Sequence, residues 1–271
     1  MKSPSSTLSN SSDVNIKDIK LKNFIPIKLL KSVGIFLGSA TVLLIVWQLA
    51  ALIYQNETLL PGPLVVAQTF QGMLMNGTLI DHTFASLGRI LLAWTLAAVV
   101  AIPIGVVLGT VPWLERMMRP FIEMIRPISP LAWIPLAILW FGIGLSGKVF
   151  IIFIASFFPI LLNTISGVQN VNSILVRAAK SFGCSPIQMT LKVVIPAALP
   201  TITTGLRISF GSAWMAIIAA EMVASQSGLG YMIINGMEIL RSDIVITGMV
   251  ITGILGFIFD SVFRYTEKRM V

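Results

Sequence analysis

Two ionisable side chains, Arg207 and Glu221, stand in the otherwise uncharged stretch 201–223. Positions 207, 210, 211, 214, 218 and 221 share one face of a helix. That face reads Arg207, Phe210, Gly211, Trp214, Ile218, Glu221. A charge at the centre of a membrane helix costs about 2.5–3.5 kcal/mol. Each of the two therefore needs a partner, a water-filled path or an end position. Two readings stay open: the face lines such a path, or both residues form fixed pairs that lock helix packing. Other groups offer less. Gly142-Ile-Gly-Leu-Ser-Gly147-Lys148 fits the first seven positions of a phosphate-binding P-loop, but Val149 stands where Ser or Thr would hold magnesium, and no strand precedes it. Nucleotide binding is not expected there, and the chain carries no ATPase of its own. His82 is the single histidine, beside Asp81. One histidine without a cluster is not a metal site. No nucleophile–base pair is recognisable, so the expectation is a non-enzyme without cofactor or metal.

The elements that must position these residues follow from composition. Of 271 residues, 56% are hydrophobic and 11% charged, against about 25% charged in a soluble domain. Mean hydropathy is +0.90. This is an all-α membrane protein in expectation. A single cysteine, Cys184, excludes an intrachain disulfide. Residues 1–32 read as a flexible basic tail, with Lys17, Lys20, Lys22, Lys28 and Lys31, leading into one membrane domain, 33–271. The apolar run 33–54 exceeds the ~7–15 residues of a signal-peptide core and suits a span of about 20 residues.

Further spans are expected over 83–111, 121–141, 149–168, 201–223 and 244–265, six transmembrane helices in all. Pro127, Pro130 and Pro135 should break the third, because proline removes backbone donors. Gly105-x3-Gly109 in the second permits close helix contact. After the turn at Pro61-Gly62-Pro63, the spacing of Leu64, Ala67, Phe70, Gln71 and Leu74 predicts a short helix on the outer surface. Ser227-Gly228-Leu229-Gly230 reads as an outer loop. Six spans put both termini on one side. Of the 19 lysines and arginines, all but Arg89, Lys148, Arg207 and Arg241 fall on that side, which the positive-inside rule makes cytoplasmic. The net charge of +8 is thus a topology signal and not a nucleic-acid footprint.

The basic amphipathic stretch 173–200 interrupts these apolar runs on the cytoplasmic side. Leu175, Ala178, Ala179 and Phe182 form the apolar side of a short helix over 173–182. Gly183 should end that helix at positive φ, and Pro186 should begin a second. Ala178, Ala179, Gly183 and Pro196 match the spacing of the EAA loop, Glu-Ala-Ala-x3-Gly-x9-Ile-x-Leu-Pro. Arg177 replaces its Glu, and the expectation is that Arg177 meets a carboxylate on a partner.

Other stretches carry the same resemblance. They are Leu59-Leu60-Pro61-Gly62-Pro63, Arg126-Pro127-Ile128-Ser129-Pro130-Leu131-Ala132-Trp133-Ile134-Pro135-Leu136, Trp140-Phe141-Gly142-Ile143-Gly144, Thr204-Gly205-Leu206-Arg207-Ile208, Ala219-Ala220-Glu221-Met222 and Ser227-Gly228-Leu229-Gly230. From about residue 35 onward the chain resembles the permeases of the nitrate, sulfonate, taurine and bicarbonate importer family. The resemblance implies a type I ABC importer permease fold in the bacterial inner membrane and a second permease copy. It also implies two cytoplasmic ATPase subunits, which hold ATP and magnesium, and an extracytoplasmic substrate-binding protein. The 173–196 loop would then couple the spans to the ATPases through Arg177, Ala178, Ala179, Phe182, Gly183 and Pro196. Arg207, Gly211, Trp214 and Glu221 would line an anion path, Arg207 making its inner part positive and Glu221 standing near an outer gate. The other class to weigh is an ion-coupled carrier or channel. It would place ionisable or unwound segments at mid-membrane, for which one proline-broken span and one charged face are the candidates.

Overall fold

The computed structural model describes residues 25–56 and 58–270, and every element among them is helical. The chain forms two compact units, Met1–Gln55 and Asn56–Val271. In the first, α1 runs over Ile25–Tyr54. Residues 1–24 of the expected basic tail lie outside the described residues, and the end of that tail is helical. The apolar part of α1 with described side chains is Gly38–Tyr54.

The second unit holds the other helices: α2 (Pro63–Met75), α3 (Thr78–Thr110), α4 (Pro112–Ile125), α5 (Ile134–Phe141), α6 (Leu145–Gln169), α7 (Ser173–Ser181), α8 (Pro186–Met189), α9 (Ile195–Ala224), α10 (Leu229–Glu238) and α11 (Ser242–Met270). Within it, α6 is central, packed between α3 and α9, while α11 lies against α10, α9 and α2. Glycines set the α3–α6 distance. A Cβ on Gly105 would stand 2.6 Å from Thr164 Cβ, and one on Gly109 would stand 2.7 Å from Val168 Cβ. The expected small-residue contact is therefore real, and its partner is α6.

Four helical stretches among the described residues are long and apolar enough to cross a membrane: Thr78–Thr110, Leu145–Gln169, Pro186–Val223 and Ser242–Tyr265. A fifth is broken. Pro112–Ile125 and Pro130–Phe141 meet at 83°. Arg126, Pro127, Ile128 and Ser129 form the break, and a 3-10 turn over Pro130–Trp133 leads into α5. Prolines 127 and 130 supply no N–H for a continuous ladder, so the break falls where the sequence put it. The helical segment before it starts at Pro112, well ahead of the expected 121, because α4 is an amphipathic helix rather than an apolar one.

One further expectation changes, and one gains detail. The segment after Ser227-Gly228 is not all loop, since α10 begins at Leu229 and buries Leu229, Met232, Ile233 and Gly236. The helix after Pro61-Gly62 forms as expected, and its packing shows which side meets the bundle. Val66 is buried and Thr69 Oγ1 donates to Asp243 Oδ2 at 2.7 Å, whereas Leu64, Phe70 and Leu74 are exposed. In a membrane protein the apolar side need not face the core, since lipid solvates it equally well.

Candidate functional site: a buried polar knot, a groove and an exposed hook

The knot forms where α3, α9 and the segment before α10 converge. Ser86 and Arg89 sit on one face of α3, and Glu221 faces them from α9. Glu221 and Ser86 are wholly buried. Arg89 Nη1 donates to Glu221 Oε1 at 2.5 Å, and Ser86 Oγ donates to Oε2 at 2.7 Å. The Gly230 N–H donates to the same Oε2 at 3.1 Å. Arg89 also holds the loop: Nη1 donates to the Ser227 carbonyl at 2.7 Å and Nη2 to Ser227 Oγ at 2.5 Å. The Leu229 N–H donates to Ser86 Oγ at 2.9 Å, and the Gly228 N–H to His82 Nδ1 at 3.1 Å. His82 thus acts as a hydrogen-bond acceptor.

This network explains the glycines. Gly228 has φ +114°, in the region glycine tolerates, and a Cβ there would collide with the Glu221 carboxylate. A Cβ on Gly230 would strike the Ile218 carbonyl and stand 2.8 Å from Glu221 Cβ. Lys148 extends the network from the first turn of α6, its Nζ donating to Ser225 Oγ at 2.8 Å. The lysine of the P-loop-like sequence is therefore a buried helical residue engaged with a serine.

About 21 Å along α9 from Glu221, at 1.5 Å per residue, Arg207 pairs with Glu267 of α11 at 2.9 Å. Thr204 Oγ1 donates to the other Glu267 oxygen at 2.5 Å. Arg207, Gly211 and Trp214 line one groove of 290 Å³, together with Phe210, Met215 and Asp260. Trp214 Nε1 donates to the Thr252 carbonyl at 3.2 Å. Of the four residues expected on a path, the structure brings these three together, while Glu221 belongs to the knot. Arg89, Ser86 and Gly230 were not expected as its partners. Arg89 is separated from Glu221 by 132 residues, and no local spacing could have joined them.

The hook is the stretch 173–196. Asn172 caps α7, its Oδ1 accepting from the Ile174 N–H at 2.9 Å. Gly183 at φ +73° ends it, with the Cys184 N–H reaching back to the Ala179 carbonyl at 3.2 Å. Ser185 and Gln188 form a reciprocal capping box around Pro186 and start α8. A π turn, Thr190–Val194, joins α8 to α9, and Pro196 lies in the first turn of α9. Ala179 is the buried residue of α7. Arg177 and Ala178 are exposed, Phe182 is 88% exposed, and Ile174, Ile187 and Leu191 also face outward.

Several membrane-length helices, a proline-broken span and an amphipathic hook between two of them define a multi-span helical membrane protein. Residues 101–271 match the family of binding-protein-dependent transport system inner membrane components. The chain is 37% identical over 247 residues to the taurine transport system permease protein TauC of Escherichia coli, covering 89% of this chain and 90% of that one. It is 44% identical over 230 residues to a putative ABC transporter permease protein of Methanocaldococcus jannaschii, covering 83% and 86%. Its fold resembles a chain of the MetNI methionine ABC transporter, solved in inward-facing conformations, with TM-score 0.65 at 19% identity, covering 74% of this chain and 98% of that one. The protein belongs to the binding-protein-dependent transport system inner membrane component family. It is a multi-pass, non-catalytic membrane subunit of an ABC importer.

Proposed function

We propose that this chain forms, with a second copy of itself, the membrane pathway of an ATP-driven importer for a small anion of the taurine or alkanesulfonate, nitrate or bicarbonate class. The observation that carries this reading is the likeness to the taurine transport permease over nearly the whole chain. The hook supports it independently. Arg177, Ala178, Phe182, Gly183 and Pro196 leave an exposed apolar and basic surface between two spans, the shape of a helix made to sit in a groove of another protein. Ala179 turns inward and ties that surface to the bundle.

In this reading two cytoplasmic ATPase subunits bind ATP and magnesium and grip one hook each. Closure of the ATPase pair moves the hooks, and the spans exchange inward for outward access. A binding protein outside the membrane then releases its anion into the pathway. No bond is made or broken on this chain. Four single spans, one broken span and α1 make six, with both termini and the hook on the basic, cytoplasmic side.

The test is reconstitution. The chain, its ATPase and its binding protein are placed in proteoliposomes, and uptake of labelled taurine is followed with and without ATP. ATP-dependent uptake requiring the binding protein is the expected result. Uptake driven by an ion gradient without ATP would replace this reading with an ion-coupled carrier.

A further inference from the structure

Among the described residues, Arg89, Lys148 and Arg207 are each met by a partner, and Arg126, toward the cytoplasmic end of the broken span, is not. Glu221 answers Arg89, Ser225 answers Lys148 and Glu267 answers Arg207. Arg126 stands in the break between α4 and the 3-10 turn, inside the segment that makes the broken span. Its guanidinium has no hydrogen bond or ion pair among the described residues. Glu123 shares a shallow recess with it without forming an ion pair. Arg126 is exposed, so its guanidinium is open to water or to an anion.

The structure provides the space. Arg126 lines a cavity of 480 Å³ between the break, α6 and α9. That volume is in the range of small-molecule sites, about 300–1,000 Å³. The polar lining beside Arg126 includes Asn163 and Ser212, and the apolar wall includes Ile154, Phe158 and Ile208. Among the described residues, no Asp or Glu lines it. Asn163 Nδ2 donates to the Pro159 carbonyl at 2.8 Å, which leaves its second N–H available. The groove beside Arg207 differs on both counts, because Asp260 lines it and Glu267 already neutralises the arginine.

We propose that the cavity between the proline break, α6 and α9 is the anion's resting place in the pathway, with Arg126 as the group that meets its sulfonate or other oxyanion. This rests on the reading of the chain as a small-anion permease. A guanidinium pairs with an oxyanion through parallel N–H donors, and the break places it at the 83° bend between the two helical segments. The apolar wall would accept the short carbon chain of an alkanesulfonate.

The test uses the full importer in proteoliposomes with labelled taurine. Arg126→Lys, which keeps the charge but not the parallel donors, should keep part of the uptake, and Arg126→Gln should lose about tenfold, as expected for a lost charge-assisted contact of about 1.4 kcal/mol. In Arg126→Cys, with Cys184→Ser to leave one thiol, uptake should be low. It should recover after assembly when the thiol receives an aminoethyl group, and it should not recover with a methyl group. The cysteine arm reads the charge even if Arg126→Gln assembles badly. Uptake that is indifferent to charge at position 126, or restored equally by both groups, overturns the assignment. If the unaltered importer takes up no anion, the functional reading itself fails.

Discussion

Arg89 on α3 and Glu221 on α9 form an ion pair at 2.5 Å, with the glutamate wholly excluded from solvent. The same carboxylate takes hydrogen bonds from Ser86 and from the Gly230 N–H, so one side chain ties together three parts of the chain.

Removing one member of that pair strands the other. Glu221→Ala should destabilise the protein by about 3–5 kcal/mol, the usual cost of leaving a buried charge alone. The double variant Arg89→Ala with Glu221→Ala should cost less than the sum of the singles. Denaturation of the purified protein in detergent, run as a double-mutant cycle, measures this. Strict additivity would show that the two residues are not coupled.

Gly230→Ala should also loosen the knot, because its Cβ would strike the Ile218 carbonyl. A loss of about 1–3 kcal/mol is expected, in the range of overpacking. Gly211→Ala is the control, since nothing lies within 4 Å of a Cβ there. Equal melting behaviour of the two variants would count against the packing described.

Gly105→Leu should prevent α3 from lying against α6 at Thr164. The expected outcome is loss of monodisperse protein on size exclusion in detergent, while Gly88→Leu is tolerated because a Cβ at Gly88 meets nothing within 4 Å.

Phe182→Ser should leave the melting temperature unchanged, since the residue is 88% exposed. If the hook grips an ATPase, the same change should lower co-purification of that subunit and the coupled uptake severalfold. Unaltered co-purification and uptake would remove Phe182 from the contact.

Arg207 separates its two readings by a paired substitution. Should Arg207 only lock α9 to α11, Arg207→Gln with Glu267→Gln should restore whatever uptake Arg207→Gln loses. Should Arg207 serve the pathway, the second change should rescue nothing. Uptake by Arg207→Gln equal to wild type would remove it from the pathway.

Much of this architecture was written in local pattern. Pro127 and Pro130 marked the break, Gly105 and Gly109 marked a tight contact, and Gly183 marked the end of α7 with its positive φ. These features depend on a few neighbouring residues, so spacing reveals them. Partner choice was not legible: the bonds from Arg89 to Glu221 and from Arg207 to Glu267 join distant segments, and several helices could have supplied either partner. The sidedness of α2 was not legible either, for another reason. Water forces apolar residues inward, whereas lipid imposes no such sorting, so Leu64 and Phe70 could remain outside while Val66 packed. The helix α10 was missed because glycines flank its start, although Leu229, Met232, Ile233 and Gly236 already had helical spacing.

A single helical rod runs over Pro186–Val223, and the π turn at Thr190–Val194 winds it slightly wider without interrupting it. At 1.5 Å per residue it is about 57 Å long. One end carries the exposed residues after Gly183, and the other carries Glu221. In the proposed reading, a push on the basic end would be carried along this continuous helix to Glu221 and the loop that its carboxylate holds.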